Sequence, residues 1–271
     1  MRLLAINGSG RKKGNTAETV SCIEKSIRDK IDGGKAFRSG KNTDLKFDFE
    51  HIFLHDYDLQ HCRGCRVCMD INEDKCPVND DFHLVLDKIH RADVIILASP
   101  VFVGDVSSIM KALLDRMAYL CHRQALYTKM FYLVATTYAV GTNHTIRTLG
   151  SSIFSWGSYL IGKCKIKMMN VDDKAEIGNE YSKKIKKAAE KILKAYSDEK
   201  YKKPSVVALI TFKIQKKYKA DPDFSDSDSE YWRAQGWVDP QVQYYIPPDV
   251  SRCKIAVANI LFPIIDSLFI S

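Results

Sequence analysis

The chain is expected to fold as an open, doubly wound α/β protein on a parallel sheet, and three observations carry that expectation. Short unbroken apolar runs recur along the first two thirds of the sequence, as strands buried on both faces require. Each run gives way to a turn rich in Gly, Ser, Thr or Pro, and then to a segment whose apolar residues recur at helical spacing, which is the alternation that winds a parallel sheet. With 271 residues, 45% of them hydrophobic and 27% charged, the chain has enough apolar surface for a full core.

Taken in order, Leu3-Leu4-Ala5-Ile6 is the first such run, and a helix is predicted from Thr16 to Arg28. A polar, glycine-bearing loop over 32–44 precedes a second strand, alternating from Leu45 to Glu50 and more buried at Ile52-Phe53-Leu54. Asp80-Asp81 reads as the cap of a helix carrying Phe82, Val85, Leu86 and Ile89 on one stripe. Asp93 to Ala98 is the clearest buried strand, followed by a helix from Ser107 to Leu120; Phe131 to Ala135 is the next, with a helix to about Trp156. Lys163 to Met169 is the last strand expected, and Ile185, Ala188, Ala189, Ile192, Leu193 and Tyr196 line the inner face of the helix after it.

In an open sheet of this kind ligands bind beyond the carboxyl ends of the strands. Three loops qualify: Ser9 to Thr16, Pro100 to Asp105 and Thr136 to Thr142. The first joins a strand to a helix N-terminus through Gly, Ser and Thr, so its N–H groups and the helix dipole suit a phosphate. It is neither a G-x-G-x-x-G fingerprint nor a Walker loop. The other two present Phe102 and Tyr138, suited to a flat ring. A mononucleotide with a large planar head satisfies all three, and flavin mononucleotide (FMN) is the natural candidate.

Four of the eight cysteines, Cys62, Cys65, Cys68 and Cys76, fall within fifteen residues as C-x2-C-x2-C-x7-C, closed by Pro77. Gly64 permits a tight backbone, and such a run with a later Cys-Pro is the habit of iron–sulfur ligation. Structural zinc takes four thiolates as well, but its usual form is two separated C-x2-C knuckles, and a redox disulfide is a third reading. Placed on the same side of the sheet as the three strand-end loops, the cysteine loop is expected to stand beside the flavin. Arg63, Arg66, His61 and Lys75 would soften the charge of four thiolates. Cys22, Cys121, Cys164 and Cys253 read as scattered buried thiols.

The net charge of +8 raises nucleic acid as a partner, but the lysines spread over helix faces with acids among them and no recognition motif, so none is expected. The opening apolar run is too short for a secretory leader and no apolar stretch is long enough to span a bilayer, so a cytoplasmic chain with metal-binding rather than disulfide-bonded cysteines is expected. No arrangement for hydrolysis occurs.

Three motifs resemble those of a known family. Asn7-Gly8-Ser9-x-Arg11-x-x-Gly14-Asn15-Thr16, the Cys62/Cys65/Cys68/Cys76 loop before Asp80-Asp81, and Ser99-Pro100-Val101-Phe102-x-Gly104 continuing to Met110-Lys111 and Asp115-Arg116 resemble the NADPH-dependent FMN reductase group, its iron–sulfur flavoproteins in particular. The resemblance covers about residues 1–195. It implies a five-stranded flavodoxin-like fold, FMN at the strand ends and a 4Fe–4S cluster on Cys62, Cys65, Cys68 and Cys76. It further implies an NAD(P)H or ferredoxin-like electron donor and a small-molecule acceptor. A homodimer or homotetramer would set one subunit's cluster loop near another's flavin. By resemblance Ser9, Arg11, Gly14, Asn15 and Thr16 would hold the phosphate; Pro100, Val101, Phe102, Val103 and Gly104 would line the ring, with Thr136 and Tyr138 beside them. The chain departs from the family at Phe102, where many members carry Tyr, and in the third loop, which lacks paired glycines. A flavin and iron–sulfur oxidoreductase is therefore expected; a flavin or quinone reductase with a structural zinc or thiol site is the alternative, and a cofactor-free binding module the third.

Residues 1–198 are expected to form this domain, with the cysteine loop at 60–80, and 199–271 an extension. The extension has an amphipathic helix from Pro204 to Lys217, an acidic linker from Asp221 to Asp228 and aromatics at Tyr231, Trp232, Trp237, Tyr244 and Tyr245 before Ile246-Pro247-Pro248. Its apolar tail, Ile255 to Ile270, would pack on the core or a subunit interface, or lie on a membrane surface; Pro263 and Asp266 favour packing.

Overall fold

A computed structural model of the chain describes residues 1–34, 46–170, 176–198, 204–221, 226–245 and 250–269. The apolar runs become five parallel strands, β1 (Arg2–Asn7), β2 (Asp48–Phe53), β3 (Val94–Pro100), β4 (Met130–Thr137) and β5 (Tyr159–Lys167), in the order β2-β1-β3-β4-β5. The main helices between them are α1 (Asn15–Asp32), α2 (Val67–Asp70), α3 (Phe82–Arg91), α4 (Ser108–Arg116), α5 (Leu120–Arg123) and α6 (Thr142–Ser155); α7 (Ile177–Glu180) and α8 (Ser182–Ser197) follow β5.

Alternation along the strands divides the core between two faces. Leu4 and Ile6 of β1 and Ile95 and Leu97 of β3 meet Val85, Ile89, Leu113 and Leu149 of α3, α4 and α6. Leu3, Ala5, Val94 and Ile96 meet Val20, Ile23 and Ile27 of α1 and Ile185 and Ile192 of α8. Both faces are covered, which is why the strands read as unbroken apolar runs.

Two expectations change. β5 begins at Tyr159, ahead of the Lys163 start read from sequence. Its first half pairs with β4 across a register shift between Phe131 and Tyr132, and Gly162 sits where a Cβ would lie 3.1 Å from the Tyr132 ring. A mixed edge segment broken by glycine hides its strand character. The Asp80-Asp81 pair opens α3 as read, but the side-chain bond to the helix comes from Asp80, while Asp81 stands at the N-cap without one. Its carboxylate accepts from Asp58 N–H (2.9 Å), and that of Asp80 accepts from Gln60 N–H (2.8 Å) as well as Phe82 N–H (3.1 Å).

Beyond α8 come α9 (Val206–Ala220), α10 (Ser227–Ala234) and α11 (Arg252–Phe269); α9, α10 and the residues after α10 build an aromatic cluster of Phe212, Trp232, Trp237 and Tyr245, and α11 packs on α9. The cluster meets the α/β core at Tyr127, edge-on to Trp237 at 5.7 Å, and at His122, whose carbonyl accepts from Trp232 Nε1 (2.6 Å). α11 continues through Pro263 rather than breaking there; Ala258 packs on Leu209 and Ile210, and Asp266 pairs with Lys217 at 2.7 Å. Its Val257, Ile260, Ile264 and Leu268 are exposed. Among the described residues no helix is long and apolar enough to cross a membrane. The loop read over 32–44, the linker Asp221 to Asp228, the turn at 244–248 and the end of the tail lie partly outside the described residues.

One pH response follows from the edge of the sheet. Burial holds the His51 imidazole below its ordinary pKa, where it meets the Asn7 amide at 3.2 Å and stacks on Phe53 at 4.6 Å. The folded protein therefore keeps this ring neutral at pH values where the unfolded chain takes up a proton, so the stability it favours is full above about pH 6.5 and is lost as pH falls through the folded value. Urea unfolding at pH 7.5 and 5.5 should show a smaller loss of midpoint on acidification in His51→Gln than in the parent; equal losses would remove His51 from the response.

Candidate functional site

The first strand-end loop is shaped by its own polar groups. Gly8 N–H donates to the Ala98 carbonyl (2.8 Å), and the Ser107 hydroxyl donates to the Gly8 carbonyl (2.7 Å), tying the loop to the end of β3 and the start of α4. Ser9 N–H donates to the Asn7 side-chain oxygen (2.9 Å) and Arg11 N–H to the Ser9 hydroxyl (3.2 Å), curling the chain toward α1. That 18-residue helix has Gly14 as its N-cap, with no side-chain cap bond. Its first-turn N–H groups thus remain free for an anion. A Cβ on Gly14 would lie 3.0 Å from the Arg11 carbonyl oxygen, a tight contact that a side chain could make only if Arg11 shifted. Asn15 is half-buried at the helix start, and Arg11 is exposed at the rim. These residues fit a phosphate.

Thr16 and Thr136 are both buried, and their hydroxyls share a hydrogen bond of 2.6 Å that joins α1 to the end of β4. Thr136→Val leaves the Thr16 hydroxyl without this partner and should lower stability by about 1–3 kcal/mol. A urea midpoint equal to the parent's would show that the bond contributes nothing.

The second and third loops lie against each other. Val101 N–H donates to the Thr136 carbonyl (2.8 Å), and Phe102 and Asp105 exchange backbone bonds of 2.9 and 3.0 Å in a tight turn. That turn holds Val103 at φ 47°, a strained setting for a β-branched residue, and Gly104 at φ 84°. Phe102, Val103 and Tyr138 all face solvent, with Pro100 and Val101 half-buried behind them. Gly141, at φ 95°, is the residue sequence reasoning missed here: a Cβ on it would stand 2.6 Å from Val101 Cγ1 and 3.2 Å from Gly104 Cα. The exposed apolar side chains and the close backbones suit a planar ring laid across the strand ends.

The cysteine loop leaves the carboxyl end of β2, on the side of the sheet where the three strand-end loops lie. It folds along α4: the four thiols line one cavity of about 160 Å³ whose other walls include Phe82, Arg116 and Tyr119. Ser107, at the opposite end of α4, is the residue that touches the first loop. Nine residues of helix separate the two places, roughly 13 Å. Gly64 adopts a left-handed conformation (φ 64°), and so does Arg66 (φ 63°), whose guanidinium pairs with Asp70 at 3.0 Å. Cys62 and Cys65 are exposed, Cys68 and Cys76 half-buried. Burial pushes the Cys68 thiol up, and the neighbouring Cys76, Cys62 and Cys65 push it further. Among the described residues no three His, Cys, Asp or Glu side chains converge as one metal ion requires. As a donor set, four thiols around a shared cavity fit a polynuclear cluster.

Two buried arginines that sequence reasoning missed frame this loop. Arg116 forms an ion pair with Asp80, the side chains 4% and 1% exposed, and its guanidinium lies 4.7 Å over the Phe82 ring and 3.9 Å from Cys76 Sγ. Arg123 donates to the Cys68 carbonyl at 2.8 Å. The Asp115-Arg116 pair was visible in sequence as part of a motif; Arg123 carried no signal.

A five-stranded sheet in this order, with its loops gathered at the carboxyl ends, is a flavodoxin-like fold, shared with an NADH:FMN oxidoreductase (15% identical, TM-score 0.51, covering 72% of this chain and 89% of that one) and a flavone reductase (14%, TM-score 0.54, 74% and 66%). Residues 1–166 match the model of the NADPH-dependent FMN reductase family, to which the chain belongs. Among curated proteins it is similar to an iron–sulfur flavoprotein of Archaeoglobus fulgidus (34% identical over 43% of this chain and 48% of that protein) and one of Methanocaldococcus jannaschii (38%, over 43% and 51%). The chain thus spans about half the length of each of these relatives. A second Archaeoglobus iron–sulfur flavoprotein is 26% identical over 88% of this chain and its own full length.

Proposed function

We propose that the protein is a flavin-dependent oxidoreductase that holds FMN across its strand-end loops and a 4Fe–4S cluster on Cys62, Cys65, Cys68 and Cys76. The observation that carries this reading is the pairing of an anion cradle at the uncapped start of α1 with four thiols lining one cavity. When bound, the flavin supplies two-electron chemistry and the cluster carries one electron at a time.

The chain's own groups have defined parts in this reading. First-turn N–H groups of α1, with Ser9 and Thr16 beside them and Arg11 at the rim, bind the phosphate. Phe102, Val103 and Tyr138 offer apolar surface to the ring, and Pro100, Val101, Gly104 and Thr136 set its back wall. Arg116 and Arg123 present N–H groups to the loop, at Cys76 Sγ and at the Cys68 carbonyl, while their charges are met by Asp80 and by Asp228 and Glu73. In this reading the protein is a homodimer or homotetramer in which one subunit's cysteine loop approaches another's flavin, with NAD(P)H or a ferredoxin-like donor and a small-molecule acceptor.

Anaerobic purification followed by iron and FMN quantitation and a visible spectrum tests the reading. Iron and FMN together, with broad absorbance bleached by dithionite, are expected; Cys68→Ser should lose the iron and keep the FMN. Zinc without iron overturns the cluster, and protein that binds no flavin overturns the whole assignment.

A further inference from the structure

We propose that the helical segment beyond residue 204 is a tether for the cysteine loop, with Arg123 and Asp228 as its positioning residues. Arg123 lies on α5 of the α/β core and is 4% exposed. Its guanidinium reaches two segments far apart in sequence. Nε donates to Asp228 (2.7 Å), Nη1 to Glu73 (2.5 Å), and Nη2 to both the Cys68 carbonyl (2.8 Å) and the Ser227 hydroxyl (3.0 Å). Glu73 and Cys68 belong to the cysteine loop; Ser227 and Asp228 open α10.

Asp228 is 1% exposed, a position where a carboxylate is costly unless cations surround it. Besides Arg123, Lys219 Nζ lies 3.7 Å from its other oxygen, and His122 Nδ1 meets that same oxygen at 3.0 Å. Burying these charges is a poor route to stability, since an apolar cluster of similar volume does as well or better. What the arrangement does supply is direction. The planar guanidinium, with Nε fixed by Asp228, aims Nη2 at a backbone carbonyl within the half-buried part of a loop whose Cys62 and Cys65 are open to solvent. The extension thereby sets where Cys68 sits relative to the other thiols.

The tether depends on the cluster reading only for the identity of the metal. Asp228→Asn, nearly isosteric, removes the charge that fixes Arg123; Glu73→Gln loosens the same link from the loop side without leaving a buried charge unpaired; Glu230→Gln, an exposed acid on the same helix, is the control. In the anaerobically purified full chain, release of bound metal to a chelator should be at least about tenfold faster in Asp228→Asn and Glu73→Gln than in the parent and Glu230→Gln, the scale that groups behind metal ligands command. In chelator-stripped protein, Cys68 should be alkylated faster in both variants relative to Cys253 of the same molecule, with unchanged tryptophan fluorescence reporting an intact Trp232–Trp237 cluster. Metal release and Cys68 alkylation equal to the parent in Glu73→Gln and in a folded Asp228→Asn overturn the tether. Should the parent carry zinc, or no metal, the cluster reading falls while the release and alkylation rates still decide the tether.

Discussion

Arg116→Ala is expected to lower the melting temperature by roughly 6–20 °C, the response to about 3–5 kcal/mol in a chain of this size. The loss does not come from attraction in water, where an exposed pair contributes little. It comes from stranding Asp80, 1% exposed, once the guanidinium is gone. Asp80 cannot relax outward, because its oxygens already accept from Gln60 and Phe82 N–H groups. The double variant Arg116→Ala/Asp80→Asn should recover part of the loss, since no charge is then left buried. A single variant melting within about 2 °C of the parent would show that solvent reaches Asp80. Because Arg116 also reaches Cys76 and the Val78 carbonyl (3.5 Å), the single variant should loosen the far end of the cysteine loop as well.

Gly141→Ala is expected to weaken FMN binding by about tenfold or more, as read by titrating flavin-free protein and following quenching of FMN fluorescence. At φ 95° an L side chain carries strain of roughly 1–2 kcal/mol, and about 1.4 kcal/mol corresponds to a factor of ten in affinity. The Cβ would also push against Val101 Cγ1 at 2.6 Å and crowd Gly104, moving the second loop away from the third. If affinity is unchanged while stability falls, the contact between these loops is architecture and the ring lies elsewhere.

How much of this was legible in the sequence depends on how far apart the contributing residues lie. Strands buried on both faces announce themselves locally, and Val94 to Ala98 could be read without knowing its neighbours. The anion cradle was legible for the same reason, since Ser9, Gly14 and Thr16 sit within one turn of chain. β5 was half legible, because an edge strand faces fewer partners and Gly162 answers to Tyr132 on β4 rather than to its own neighbours. Gly141 was read only as part of a loop short of glycines; its role is defined by Val101, forty positions earlier. Arg116 was visible only as a motif position and Arg123 not at all; their pairings were beyond reach, since Asp80 and Asp228 lie 36 and 105 residues away. The course of the cysteine loop along α4 was hidden for a related reason: topology says where a loop departs from the sheet, not along which helix it runs.

The reach of Arg123 also sets an order of events during synthesis. A chain emerging from the ribosome has all four loop cysteines and the whole sheet available well before Asp228, which follows Arg123 by 105 residues. Domains fold N-terminal first as they are made. A metal ion or preformed cluster delivered in that interval meets a loop whose Cys68 carbonyl has an arginine near it but no carboxylate to aim that arginine. Under the tether proposed above, loading would stay reversible until the segment beyond residue 204 has docked, and that docking would become the step that retains a bound metal.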